Sequence, residues 1–313
     1  MKNSDKYLTD MLGILFERSG ILIISFIISL FVSILFNLYL AGLLGLIVLI
    51  FSALVIQSYD TKITDVKEIE NSFNYTILAV IPSYSKKTKN LITKTEFVEN
   101  RFISMMEEQL SFKEAYRKLD AELPSGLKGN PKKIMITSCE ENTGKTTFAS
   151  NLAITIAQAN KKVLLIDCNI INPNIANQFG LPNFSSGLID YLKGKTDTPN
   201  IYKPLKLSEN INLVMNIDII PTGVFTNISG EILVSERMKD LLDSLKYYDF
   251  VILDTPPINR LSDALSLGRI VENSLLVVRS RQTSKKNISR AFVELRLADT
   301  NFVGLVLNDY KLN

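Results

Sequence analysis

The stretch Ser138-Cys139-Glu140-Glu141-Asn142-Thr143-Gly144-Lys145-Thr146-Thr147 lies between an apolar run, Ile134-Met135-Ile136, and a helix-forming one, Phe148-Ala149-Ser150-Asn151-Leu152-Ala153. It matches the phosphate-cradling loop G-x-x-x-x-G-K-[ST] at every defining position except the first, where Cys139 stands in place of glycine. At a strand-to-helix junction the first backbone N–H groups of the helix point at phosphate oxygens, and Gly144 lets the backbone come close. The Lys145 ammonium reaches the β- and γ-phosphates, and the Thr146 hydroxyl holds Mg²⁺. Asn142, Thr143 and Thr147 complete the cradle, with Asn142 supplying the unusual backbone angle that glycine often supplies.

Working outward, apolar strand-like runs alternate with amphipathic helical ones from Lys132 onward, which predicts an α/β fold with a mostly parallel, doubly wound sheet. Expected strands are Lys133–Ser138, Lys162–Asp167, Ile211–Ile219, Phe250–Asp254, Ser274–Arg279 and Phe302–Leu307. Expected helices are Lys145–Ala159, Gly187–Lys193, Ser235–Leu245, Asp263–Val271 and Ser284–Leu297. Two further strands end in a carboxylate, Val163-Leu164-Leu165-Ile166-Asp167 and Val251-Ile252-Leu253-Asp254, where a doubly wound sheet places its ligands. Asp254 is the candidate outer-sphere Mg²⁺ carboxylate, and Asp167 the candidate for orienting the attacking group. The cofactors expected at such a site are ATP and Mg²⁺.

Composition removes several alternatives. The 313 residues include no His and no Trp, so Ser-His-Asp triads, His-ligated zinc and His-ligated haem are excluded. Two cysteines, Cys139 and Cys168, cannot build a four-thiolate zinc site or an iron–sulfur cluster within one chain. They read as reduced, buried fillers rather than a disulfide or a redox pair. The net charge of +3, from 35 basic and 32 acidic residues, is spread along the chain and gives no basic stripe for nucleic acid.

From Ser19 to Tyr59 there is no Asp, Glu, Lys or Arg. As one helix this stretch would be about 60 Å long, twice a hydrocarbon core of ~30 Å. Two transmembrane spans are expected, Gly20–Phe36 and Ala41–Ile56, turning at Asn37-Leu38-Tyr39. No A-x-A cleavage site follows the first, which argues against a signal peptide. Lys2, Lys6 and Arg18 precede the hairpin and Lys62 and Lys67 follow it, so both termini are expected in the cytoplasm. The organisation expected is a hairpin over 1–59, a linking segment over 60–125 and a P-loop domain over 126–313. Within the linking segment, Asp65–Glu70 reads as a short helix, Thr76–Pro82 as a strand, Ser83–Thr95 as a linker, and Phe97–Leu123 as a helix interrupted near Ser111.

With these motifs in place, the chain resembles the bacterial tyrosine kinases of the capsule and exopolysaccharide co-polymerase family, P-loop ATPases related to the Min and Par proteins. The resemblance is carried by the phosphate loop, Phe112-Lys113-Glu114-Ala115-Tyr116-Arg117, Ser186-Gly187-Leu188, Asp254-Thr255-Pro256-Pro257, Ser262-Asp263-Ala264 and Gly304-Leu305-Val306-Leu307-Asn308. It implies that Asn308 contacts the base. It also implies partners: the polysaccharide polymerase and export machinery or a co-polymerase supplying an external domain, inner-membrane lipid, and copies of the same chain. The location it implies is the bacterial inner membrane.

Four departures bear on function. The family's Asp-x-Asp-x-Arg after the second strand reads Asp167-Cys168-Asn169-Ile170-Ile171, and an amide at Asn169 cannot take a proton. The oligomerisation pattern Glu-x-x-Arg-x-x-Arg keeps Glu114 and Arg117 but ends in Asp120. The tyrosine cluster of the family's tail is reduced to Tyr310, and the external domain between the spans to a few residues. Three readings follow: a tyrosine autokinase or slow ATPase acting through Lys145, Asp167 and Asp254; a pseudokinase used as a nucleotide-gated scaffold; or a membrane-bound partitioning ATPase.

Overall fold

The computed structural model describes residues 19–35, 38–59, 62–73, 75–83, 110–181, 186–202, 216–223, 230–259 and 262–311. The chain forms two compact units, Met1–Thr61 and Lys62–Asn313. In the first, helices α1 (Ser19–Leu35) and α2 (Leu38–Tyr59) pack as a pair. The expected turn differs: Leu38 and Tyr39 already belong to α2, while Asn37 lies outside the described residues. A Cβ on Gly45 would collide with the Ser29 hydroxyl, so the two helices approach closely at this glycine. Among the described residues, no helix is long and apolar enough to cross a membrane; α1 has 17 residues, about 26 Å of helix.

The second unit begins with α3 (Val66–Phe73) and β1 (Ile77–Pro82), and continues with α4 (Leu110–Gly126), β2 (Lys132–Ser138), α5 (Lys145–Gln158) and β3 (Val163–Asp167). Short helices α6 (Ile175–Gln178) and α7 (Leu188–Leu192) lead to β4 (Ile217–Ile220), a 3-10 turn over Gly230–Val234, α8 (Glu236–Ser244) and β5 (Phe250–Asp254). Helix α9 (Ser262–Val271), β6 (Asn273–Arg279), α10 (Lys285–Leu297) and β7 (Asn301–Tyr310) complete it. The strand expected over Ile211–Ile219 is described only from Ile217, and residues 211–215 lie outside the described set, as do 84–109. Ser111 sits in the first turn of α4.

Among the described residues the seven strands are all parallel, in the order β1-β7-β6-β2-β5-β3-β4. Alternation along the strands divides the core between two faces. Met135, Leu164, Ile166, Val251 and Leu253 pack with Leu241, Leu267 and Ile288 from α8, α9 and α10. Their neighbours Ile134, Ile136, Val163, Leu165 and Ile252 pack with Tyr116 of α4 and Phe148 and Leu152 of α5. Burial on both faces is why these strands read as continuous apolar runs. Strand β1 docks on β7 at the sheet edge, where a Cβ on Gly304 would lie 2.6 Å from Leu78 Cγ. The residues just before α3 are also fixed: the Ile63 N–H donates to the Thr283 carbonyl at 3.0 Å, and the Arg281 N–H to the Ile63 carbonyl at 2.7 Å.

Candidate phosphate-binding site

Strands β2, β3 and β5 are neighbours whose carboxyl ends lie side by side, with Asp167 and Asp254 partners in register. The phosphate loop crosses this end between β2 and α5. Gly144 caps α5 in the left-handed region, φ 83°, and a Cβ there would strike the Asn308 side-chain amide. Asn142 also has positive φ, 58°, as the sequence led us to expect. The loop lines a pocket of about 300 Å³ together with Asn169, Ile171, Asn172, Asn174, Gln178, Pro257 and Arg279.

Lys145 and Thr146 converge on one carboxylate. The Lys145 ammonium donates to Asp254 Oδ1 at 2.7 Å and the Thr146 hydroxyl to Oδ2 at 2.6 Å. Both charges of this pair are buried, the side chains being 6% and 0% exposed. Thr147 accepts from the Gln178 side chain at 3.3 Å, and the buried Thr143 hydroxyl has no partner among the described residues. A glycine-shaped cradle, a buried ammonium and a hydroxyl beside a carboxylate fit a magnesium-bound phosphate chain. The backbone amides and Lys145 would hold phosphates, and Thr146 with Asp254 would hold the ion.

Asp167 is placed differently. It does not line the pocket. Its Oδ1 accepts from the Asn169 N–H at 3.1 Å, and its Oδ2 from the Asn174 and Ile175 N–H groups at 3.1 and 3.0 Å, so it holds the start of α6. Burial, then the charge of Asp254, raises its carboxyl pKa, against the Ile175 and Asn169 amides and Lys145, which lower it. Asn169 does line the pocket, so an amide stands where the carboxylate was expected. Asn308 donates to the Thr143 carbonyl at 2.8 Å and thereby supports the loop.

Burial pushes both thiols, Cys139 and Cys168, well above their ordinary range, as fits inert core residues. On α4, Glu114 and Arg117 are exposed, whereas Asp120 is half-buried, its carboxyl raised by burial and lowered in part by Lys161. Sequence reasoning missed Gln178, Asn172 and Asn174 at this site. None belongs to the loop motif, and their arrival depends on the tertiary path of the chain.

Comparison with known proteins places this geometry in context. The sequence matches the AAA domain family over residues 131–293. It is 31% identical over 218 residues to the tyrosine-protein kinase YwqD of Bacillus subtilis (strain 168), covering 69% of this chain and 89% of that protein. It is 35% identical over 176 residues to the tyrosine-protein kinase etk of Escherichia coli (strain K12), covering 56% of this chain and 23% of that longer one. Among solved structures, the kinase domain of the Escherichia coli tyrosine kinase ETK aligns with a TM-score of 0.68 at 31% identity, over 79% of this chain and 95% of that one.

Proposed function

The chain belongs to the bacterial tyrosine-kinase family of P-loop ATPases, and on that footing we propose that it binds MgATP at the β2–α5 loop and transfers its terminal phosphoryl group to protein tyrosine, in the service of capsule or exopolysaccharide assembly. The observation that carries this is the Lys145–Asp254–Thr146 constellation at the carboxyl edge of the sheet. When bound, Mg²⁺ neutralises charge on the β- and γ-phosphate oxygens. Lys145 stabilises the charge that builds up there during transfer, and the loop amides orient the phosphates. Asn169 can hydrogen-bond the incoming hydroxyl but cannot remove its proton, so rate enhancement rests on positioning and electrostatics.

A second reading is favoured by the occupied oxygens of Asp167 and by Asn169 in the lining: a nucleotide-gated scaffold with little chemistry. Loss of a general base typically removes about 10²–10⁴ in rate while leaving binding intact. Single-turnover measurement with γ-labelled ATP and Mg²⁺, on wild type, Lys145→Ala and Asn169→Asp, separates the two. Labelled tyrosine in wild type but not in Lys145→Ala supports the kinase. Bound but unreacted ATP, with turnover restored by Asn169→Asp, supports the scaffold, and no binding at all refutes both.

The proposal places α1 and α2 as a hairpin in the bacterial inner membrane, with both termini cytoplasmic. Its support is the absence of charge from Ser19 to Tyr59, the basic residues on either side, and the outward apolar side chains such as Phe31 and Phe51. Partners on this reading are the polysaccharide polymerase and export machinery, a co-polymerase with an external domain, and further copies of the chain meeting through the exposed Glu114 and Arg117. Release of the protein from membranes by alkaline carbonate would sink the anchoring.

A further inference from the structure

Four successive residues of the phosphate loop are each held by a side chain from the far end of the sequence. Asn287 Nδ2 donates to the Glu140 carboxylate at 2.6 Å. Gln282 Nε2 donates to the Glu141 carbonyl at 3.2 Å, Arg279 Nη1 to the Asn142 carbonyl at 2.9 Å, and Asn308 Nδ2 to the Thr143 carbonyl at 2.8 Å. The donors come from the end of β6, the turn after it, the first turn of α10, and β7.

The peptide group is planar, so fixing a carbonyl fixes the N–H of the next residue. Carbonyls of 141, 142 and 143 held by the clamp therefore orient the N–H groups of 142, 143 and 144, the amides that would face phosphate. The loop has a conformational debt to settle. Asn142 sits at φ 58°, and Cys139 occupies the position where such loops have glycine. A left-handed residue other than glycine persists only where its surroundings over-determine it. The donors are themselves braced: Arg279 bonds Asp309 through Nε at 2.9 Å and Nη2 at 2.7 Å, and the Asn287 carbonyl accepts from the Asn259 amide at 3.2 Å.

We propose that Arg279, Gln282, Asn287 and Asn308 act as positioning residues that set the shape of the phosphate loop and, through it, affinity for the phosphate chain of a nucleotide. The proposal rests on the reading of this loop as the nucleotide site. Because Arg279, Gln282 and Asn308 act on the backbone facing phosphate, and Asn287 steadies the same loop through the Glu140 side chain, the effect does not depend on the base.

The test uses the full chain in detergent, with Gln282→Ala, Asn287→Ala and the neutral variants of similar volume Gln282→Met and Asn287→Leu, which remove the donor without adding charge beside the phosphates. Arg279 is avoided because it also pairs with Asp309. Affinity for MgADP and for magnesium tripolyphosphate is measured by calorimetry, and amide hydrogen exchange is followed over residues 140–147. Each variant is expected to bind both ligands about five- to tenfold more weakly, the equivalent of one hydrogen bond. Loop amides should exchange faster by a similar factor, while those of β2 and β5 keep their protection. Affinities within twofold of wild type overturn the proposal, as does a loss confined to ADP, which would mean a contact with the base. If wild type binds neither ligand, the nucleotide reading falls and loop exchange decides the clamp by itself: unchanged exchange overturns it, faster exchange supports it.

Discussion

Replacing Lys145 with Met should destabilise the protein even without nucleotide, because Lys145 is half of a buried ion pair. At 2.7 Å and an effective dielectric of ~20 the attraction is about 6 kcal/mol, offset by the desolvation of both groups. Removing the ammonium leaves Asp254, 0% exposed, with an uncompensated charge, and such a break typically costs about 3–5 kcal/mol. The Thr146 hydroxyl still donates to Asp254 at 2.6 Å, which places the loss near the lower end, at about 3 kcal/mol. For a unit of this size each kcal/mol moves the melting midpoint by ~2–4 °C, so a drop of roughly 6–12 °C is expected in a calorimetric scan without added ligand. The double variant Lys145→Met/Asp254→Asn buries neither charge of the pair and should recover most of the loss, giving a coupling of about 2 kcal/mol or more in the double-mutant cycle. Met at 145 should also abolish the gain of about 2.7 kcal/mol that ligand at a hundredfold excess over Kd gives the wild type. A Lys145→Met protein melting within about 1 °C of wild type would refute the reasoning, as would a double variant no more stable than the single.

Gly144→Ala forces a residue with Cβ to φ 83° and drives that atom into the Asn308 side chain, so a loss of about 1–2 kcal/mol in thermal stability is expected together with loss of MgADP binding by calorimetry; wild-type affinity would count against the cradle. Asp167 has its carboxyl raised by burial, so its unfolded form ionises first. Its contribution to stability is therefore greatest below the unfolded carboxylate pKa of ~4 and declines as pH rises through the folded value. Asp167→Asn should melt with a shallower decline from acid to neutral pH than wild type. Superimposable pH profiles would exclude that role.

The phosphate loop was legible because its chemistry is local: Gly144, Lys145 and Thr146 carry their meaning in adjacent positions, and Asp254 ends an unmistakable buried strand. Asp167 was located but its task was not. The chain returns through Pro173 to present the Asn174 and Ile175 amides to its carboxylate, and no periodicity announces that turn. Likewise the donors to Glu141 and Asn142 lie 141 and 137 residues downstream, a pairing decided by the sheet and not by any motif. The runs Thr76–Pro82 and Phe302–Leu307 both read as strands, but their pairing does not, because parallel pairing across an edge leaves no mark in either strand.

That edge pairing sets an order of events during synthesis. Ile77 leaves the ribosome long before its register partner Leu305 is made. At ~5–20 residues per second the interval is roughly 10–50 s. Throughout it the β1 segment has no sheet to join, while β2, β3 and β5 can already assemble. Closing so long a loop is slow, and the waiting apolar strand is the part of the nascent chain most open to wrong partners. Docking of β1 therefore reports that β7 has been made and has joined the sheet.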